Sequence, residues 1–208
     1  MKGHKWFAAF YDFLMAGAES TFMRRVRHEV VGQARGRVLE VGCGTGASFP
    51  YYQDPAAVVA TEPDPYMLAR AKRRARALGL PITILQARAE DLPFPTGYFD
   101  TVVATFVFCS VEDVGRALME VRRVLRPGGE LRFFEHVRYH HRLGAWAQDA
   151  ITPLWRWLAA GCHPNRDTPR LMEKAGFRLV RLEILTPVPP LPPTVFIRPQ
   201  ALGVARPV

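Results

Sequence analysis

What this chain lacks narrows it first. Its 208 residues hold only three cysteines, Cys43, Cys109 and Cys162, far apart and without CxxC or zinc-ligand spacing. An odd, scattered set gives no disulfide framework and fits a reducing, cytoplasmic setting. No apolar run approaches the ~20 residues needed to span a bilayer. Lys2 and Lys5, the apolar Trp6–Tyr11 and Ala16-Gly17-Ala18 have the outline of a secretion signal, but Asp12 interrupts a stretch already too short for one. Acids are scarce, 19 against 28 Lys and Arg, which leaves a formal charge of +9. The cations are spread along the chain. Their one local cluster, Arg70-Lys72-Arg73-Arg74-Arg76, reads as the solvated face of a helix, so no nucleic acid is expected as a partner. His140 and His141 have no further ligands at useful spacing, and no metal is expected. There are no internal repeats and no linker, and the length suits one α/β domain spanning 1–208.

What is present alternates between strands and helices. Residues 4–34 read as helical, opening on the aromatic cluster Trp6, Phe7, Phe10, Tyr11 and Phe13. Arg37–Val41 reads as a buried strand, and Ala57–Thr61 as a second. Asp64 and Pro65 supply an N-cap and first-turn proline for a helix with apolar positions Leu68, Ala71, Ala75 and Leu78, ended by Gly79. Ile82–Gln86, Phe99–Ala104 and Glu130–His136 are further strands; a helix marked by Val114, Leu118, Val121 and Leu125 is stopped by Pro127-Gly128-Gly129. That rhythm predicts βαβ units and a parallel sheet. Arg142–Ala160 is a helical stretch with Trp146, Trp155 and Trp157 and a potential kink at Pro153. Thr168–Gly176 is one more helix. Arg178–Leu185 and Ala201–Arg206, joined by the proline-rich 187–199, predict an antiparallel pair at the sheet edge.

The first strand runs into Gly42-Cys43-Gly44-Thr45-Gly46. Glycines there let a backbone approach a ligand where a Cβ would clash. Gly42, Gly44 and Ala47 satisfy G-x-G-x-x-A, and Glu62 follows at the end of the second strand, where it can accept from ribose hydroxyls. The loop and Glu62 alone fit either a dinucleotide or S-adenosylmethionine. Glu40, inside the strand before the loop, suits a cationic ligand and opposes a pyrophosphate. Glu90 and Asp91 after the third strand lie where an adenine amino group could bind.

The segments LEVGCGTG, ATEPDPYML, ARAEDLPFPTGYFDTVVAT and VRRVLRPGGEL resemble, in order and spacing, the motifs of the class I S-adenosylmethionine-dependent methyltransferases over residues 37–136. The resemblance implies a Rossmann-like, seven-stranded, mostly parallel α/β sheet with helices on both faces and an antiparallel edge strand. It implies a helical lid at 1–34, a cofactor core at 35–136 and acceptor-side helices with a C-terminal hairpin at 137–208. The cofactor implied is S-adenosylmethionine, with S-adenosylhomocysteine as product. Gly42 and Gly44 would lie under its methionine part, with Cys43 contributing backbone and Glu40 flanking. Glu62 would bind the ribose, Pro63, Met67, Ala89 and Glu90 would border the adenine, and Thr105 and Phe106 would form the floor beneath the sulfonium.

Phe134-Glu135-His136, the Trp-rich helix and Gly161-Cys162-His163-Pro164-Asn165-Arg166-Asp167-Thr168 are similar to the alkyl thiol methyltransferase group. The N-terminal membrane anchor of that group's animal members is not expected in this chain. Phe10–Met15 instead resembles the Tyr-Asp opening of bacterial phospholipid and quinone methyltransferases, where it folds over the cofactor. The acceptor stays open among a small thiol, a lipid amine and a quinone-like carbon, all apolar small molecules. Peripheral membrane contact at most, and a monomer or homodimer, are expected. His136, at the carboxyl end of the fifth strand, is the candidate base. Tyr11, Trp155, Cys162 and His136 are candidate acceptor contacts.

Overall fold

The computed structural model describes residues 22–186 and 194–208. The predicted helix at 4–34 is seen from Phe22 onward as α1 (Phe22–Val30); the part of the proposed lid up to residue 21, with Tyr11 and Asp12, lies outside the described residues. The other elements in chain order are β1 (Val38–Val41), β2 (Val58–Thr61), α2 (Pro65–Ala77), β3 (Thr83–Leu85), β4 (Phe99–Thr105), α3 (Val114–Val124), β5 (Leu125–His136), α4 (Arg142–Leu158), α5 (Thr168–Lys174), β6 (Phe177–Leu185) and β7 (Gln200–Pro207).

The seven strands form one sheet in the order β3-β2-β1-β4-β5-β7-β6. β1 to β5 pair in parallel, whereas β7 runs antiparallel to both β5 and β6. The C-terminal pair therefore closes one edge, with β7 inserted between β5 and β6.

Parallel strands buried on both faces alternate their side chains between two cores. Leu39, Val41, Val102 and Ala104 face a core with Leu118 and Val121 of α3 and Met172 of α5. Val38, Val58, Ala60 and Val103 face another, with Val26 and Val30 of α1 and Ala71 and Ala75 of α2. Asp64 caps α2 as predicted, its carboxylate accepting from Tyr66 N at 2.8 Å and Met67 N at 3.2 Å. Arg73 and Arg76 are exposed on the opposite side of that helix from buried Ala71 and Ala75.

Several local expectations change. Leu78, predicted on the apolar stripe, is 48% exposed, because α2 ends at Ala77 and Leu78 is its C-cap. Leu125, predicted as the last position of the α3 stripe, pairs with Phe99 and opens β5. The helix through Pro153 is continuous over Arg142–Leu158, with the proline on its exposed side.

Helix α4 also inverts the usual pattern. Its buried positions are Ala145, Gln148 and Thr152, while Leu143, Trp146, Leu154, Trp157 and Leu158 are exposed. The Gln148 amide occupies that face: the two hydrogens of its Nε2 are shared among Val137 O, Pro164 O and Phe196 O at 3.1, 2.9 and 2.9 Å, and its Oε1 accepts from Tyr139 N at 2.8 Å. One side chain thus ties the segment after β5 to the Cys162-containing loop, and a buried amide must be satisfied in this way. Among the described residues no helix is long and apolar enough to cross a membrane.

Candidate active site

The order of the strands reverses between β1 and β4, and ligands of open α/β sheets bind beyond the carboxyl ends at that switch point. Both strands end there in unusual backbone. After β1, Gly42, Gly44 and Gly46 have φ of 64°, 57° and 78°, a region that side chains other than glycine rarely adopt. After β4, Phe106 holds φ 57° without being glycine, the kind of strain that collects at functional sites. The Phe106 N–H donates to Phe134 O at 2.8 Å, which fixes that turn against β5.

Two buried acids brace the glycine loop. Glu62, at the end of β2, accepts from Gly44 N and from Asp64 N, each at 2.9 Å. A carboxylate has about four acceptor positions, so two remain for a ligand. Glu40 lies 3% exposed within β1, on the same face as Val38, and accepts from the Tyr52 hydroxyl at 2.9 Å. Burial pushes its carboxyl up to about 7, against the opposing pull of its hydrogen bonds and of Arg27. Burial likewise raises the Glu62 carboxyl.

A small cavity of about 40 Å³ opens at this point. Its walls unite six of the sequence-predicted residues, Glu40, Gly42, Cys43, Gly44, Thr105 and Phe106, and add Arg27 from α1. Glu62 joins through its bond to Gly44. Pro63, Met67, Ala89 and Glu90 are not on its wall. Met67 and Ala89 are buried apolar positions. The Glu90 carboxylate accepts from Glu112 N at 3.0 Å and pairs with Arg88 at 3.2 Å, so it also fixes the start of the segment leading into α3.

The second half of the site lies at the end of β5. The His136 ring stacks on Phe106 with centroids 4.3 Å apart and planes at 22°. Its Nδ1 lies 3.8 Å from Cys109 Sγ and 3.6 Å from Cys162 Sγ. Spacing along the chain gave no sign that these three residues meet. Cys109 is placed by Glu135, whose fully buried carboxylate accepts from the N–H groups of Val107, Phe108 and Cys109 at 2.7, 2.9 and 3.1 Å. Cys162 follows the positive-φ pair Ala160 and Gly161, and the neighbouring His163 N–H donates to Cys109 O at 2.6 Å. Trp155 is half-buried, with a buried Nε1 that has no hydrogen-bond partner among the described residues.

Arg27, Gln148 and Cys109 are site residues that the sequence does not mark, and Glu135, part of a recognised motif, had no role assigned to it. Only Glu135 carried a visible signal, a charge inside the apolar strand Phe133-Phe134-Glu135.

A glycine loop flanked by buried carboxylates at the switch point of a 3-2-1-4-5-7-6 sheet suits a nucleoside ligand that carries positive charge. Comparison with known proteins agrees. A family model described as a methyltransferase domain matches residues 39–133. Thiol S-methyltransferase TMT1B of Homo sapiens is 32% identical over 192 residues, covering 84% of this chain and 78% of that protein. Phosphatidylethanolamine N-methyltransferase of Cereibacter sphaeroides is 41% identical over 130 residues, covering 62% of this chain and 64% of that protein. Among solved structures, geranyl diphosphate C-methyltransferase of Streptomyces coelicolor A3(2), in complex with Mg2+, geranyl diphosphate and S-adenosyl-L-homocysteine, superposes with TM-score 0.71 at 17% identity over 96% of this chain and 84% of that one. The chain belongs to the class I S-adenosylmethionine-dependent methyltransferases and is related to their alkyl thiol methyltransferase group.

The residues present fit that cofactor. A Cβ at Gly44 would meet nothing within 4 Å, so its left-handed backbone faces open space. The Thr105 hydroxyl is buried on the cavity wall with no hydrogen-bond partner among the described residues. The dinucleotide alternative lapses.

Proposed function

We propose that this chain methylates the sulfur of a small apolar thiol in the cytoplasm. The observation that carries the reading is the stacking of His136 on Phe106, which sets a titratable ring and two sulfurs beside the cofactor cavity. The similarity to a thiol S-methyltransferase over 84% of the chain supports it. Free Cys43, Cys109 and Cys162 suit a reducing compartment.

S-adenosylmethionine supplies an activated methyl on a sulfonium. The protein's part is to hold donor and acceptor in line and to exclude water, which can be worth ~7–11 kcal/mol. Gly42, Cys43 and Gly44 present backbone to the methionine part, and Arg27 suits its carboxylate. Glu40 offsets its positive charge, Glu62 takes the ribose, and Thr105 and Phe106 close the floor. Met67, Pro63, Ala89 and Glu90 form the adenine side. A thiol must react as thiolate, so its proton has to leave near the acceptor; His136 is the group placed for that transfer. Trp155 and Cys162 complete the acceptor side.

An apolar acceptor predicts a length series. With n-alkyl thiols from ethyl to octyl, kcat/KM should rise about fourfold per methylene, following ~0.8 kcal/mol for each buried CH2. A flat series would remove the apolar acceptor, and no methylation of any thiol would remove the thiol reading. The second reading, methylation of a phospholipid amine, rests on the 41% identity to the phosphatidylethanolamine enzyme.

Two glycines separate space from strain. Gly44→Ala should cut cofactor affinity at least tenfold, because its φ of 57° opposes a side chain and a Cβ would enter the ligand's space. Gly46→Ala should mainly lower stability, because its Cβ would collide with the buried Phe49 ring. Calorimetric titration and thermal melts distinguish the two.

Glu40 predicts a pH dependence. Its folded pKa of about 7 lies above the ordinary 4.5, so its stabilising contribution is complete below about 4.5 and is lost as pH rises through 7. A cationic ligand has the opposite preference and binds the ionised form. Cofactor affinity should therefore rise several-fold between about pH 6 and 7.5, and Glu40→Gln should flatten that rise.

A further inference from the structure

The geometry points to a metal site: Cys109, His136 and Cys162 form a three-ligand centre for a thiophilic divalent cation of the Zn2+ type, whose fourth position takes the acceptor thiol. The second half of this inference rests on the thiol reading above; the site itself does not.

The three ligand atoms, Cys109 Sγ, His136 Nδ1 and Cys162 Sγ, all lie within 4.8 Å of one another. A tetrahedral zinc ion with bonds of about 2.3 Å to sulfur and 2.0–2.1 Å to nitrogen has S···N edges of about 3.5–3.6 Å and an S···S edge of about 3.8 Å. The observed S···N separations are 3.6 and 3.8 Å. A ring Nδ1 can serve one strong hydrogen bond in its plane, whereas a cation engages it and both sulfurs together. Soft thiolates with an imidazole select zinc-like metals over Mg2+ or Ca2+, and two thiolates neutralise a divalent ion.

The ligands are also held in place before any ion arrives. Cys109 is positioned by the bond from its N–H to Glu135 and by that from His163 N to its carbonyl. His136 ends a strand and is pressed against Phe106. Cys162 sits in a turn whose Cys162 N donates to Ala159 O at 3.0 Å, and Gln148 fastens the same loop at Pro164. Three ligands from three separate elements, with further hydrogen bonds behind them, match a catalytic rather than a four-ligand structural centre. Both sulfurs are buried and His136 is half-buried, with its ring against a residue that lines the cofactor cavity.

The chemistry is complete without a redox partner. The acceptor R–SH binds the fourth position and releases its proton to water. The bound thiolate attacks the methyl carbon; the new C–S bond forms as the sulfonium–methyl bond breaks, and that electron pair stays on the departing S-adenosylhomocysteine sulfur. The metal keeps its oxidation state. His136 then acts as a ligand through Nδ1, and the metal takes over the task of stabilising the thiolate.

The test uses the full chain, reduced, stripped with chelator and titrated anaerobically with Co2+ in the absence of any acceptor. The expected result is saturation at one Co2+ per chain, with thiolate-to-cobalt charge-transfer absorption and the visible bands of a tetrahedral ion. Zn2+ should displace it. Cys109→Ser and Cys162→Ser should each weaken binding by about 100-fold or more while still binding S-adenosylhomocysteine, which reports that they are folded. Adding 1-hexanethiol to the Co2+ form should shift the charge-transfer band. No saturable uptake, bands unchanged in both serine variants, or a native chain lighter by two hydrogens with Cys109 joined to Cys162 would overturn the site. Co2+ bound as expected with no thiol methylated would remove the thiol reading and keep the site; thiol methylation by a chain that takes up no Co2+ would do the reverse.

Discussion

Replacing Glu62 by alanine is expected to weaken S-adenosylhomocysteine binding by about 100-fold or more, while Glu62→Gln loses roughly tenfold. The carboxylate is 7% exposed and already spends one acceptor position on Gly44 N and one on Asp64 N. Its remaining positions would take the ribose hydroxyls, and each hydrogen bond to a charged group is worth about 1.5–3 kcal/mol. Alanine removes both ligand contacts and the bond that sets Gly44, so the loop loses its brace as well. Glutamine keeps the shape and one acceptor oxygen but must turn an NH2 toward an N–H. Calorimetry on the variants measures this; unchanged affinity in Glu62→Ala would show that the ribose is held elsewhere.

A second large effect is expected at a residue that need not touch either substrate. Glu135→Ala should destabilise the fold by about 3–5 kcal/mol, since it strands three buried N–H groups at roughly 1–3 kcal/mol each. Those donors belong to Val107, Phe108 and Cys109, at 2.7, 2.9 and 3.1 Å. For a chain of this size, at ~2–4 °C per kcal/mol, the melting temperature should fall by about 6–20 °C. Glu135→Gln should recover part of the loss, because its carbonyl still serves some of the donors. Thermal and urea melts of both variants check the order. A loss under about 1 kcal/mol in the alanine variant would mean that the loop is held by other contacts.

The sequence made local decisions legible and left long-range ones hidden. Asp64-Pro65 caps α2 where expected, because an N-cap and first-turn proline act within one turn. The glycine loop and Glu62 could be read because they flank two adjacent strands, whose pairing the βαβ rhythm predicts. The insertion of β7 between β5 and β6 has no local signal: the same hairpin could have paired in the other order. Helix α4 misled more deeply. Its tryptophans look like a core or acceptor face, yet Trp146 and Trp157 are 67% and 78% exposed. Its buried face is organised by Gln148, whose three carbonyl partners lie in separate segments. The meeting of Cys109, His136 and Cys162 was invisible for the same reason, since ligands 26 or 27 positions apart follow no metal-binding spacing.

The most direct test of the account lets the candidate acceptors compete. The full chain would be given S-adenosylmethionine with a deuterated methyl, together with 1-hexanethiol, phosphatidylethanolamine vesicles and a demethylated quinol, and the products weighed by mass spectrometry. Heavy methyl is expected on the thiol sulfur, as hexyl methyl sulfide, and at limiting cofactor about 100-fold less of it when Glu62→Ala replaces the native chain. Heavy methyl on the lipid amine or the quinol ring, with the thiol untouched, would contradict it.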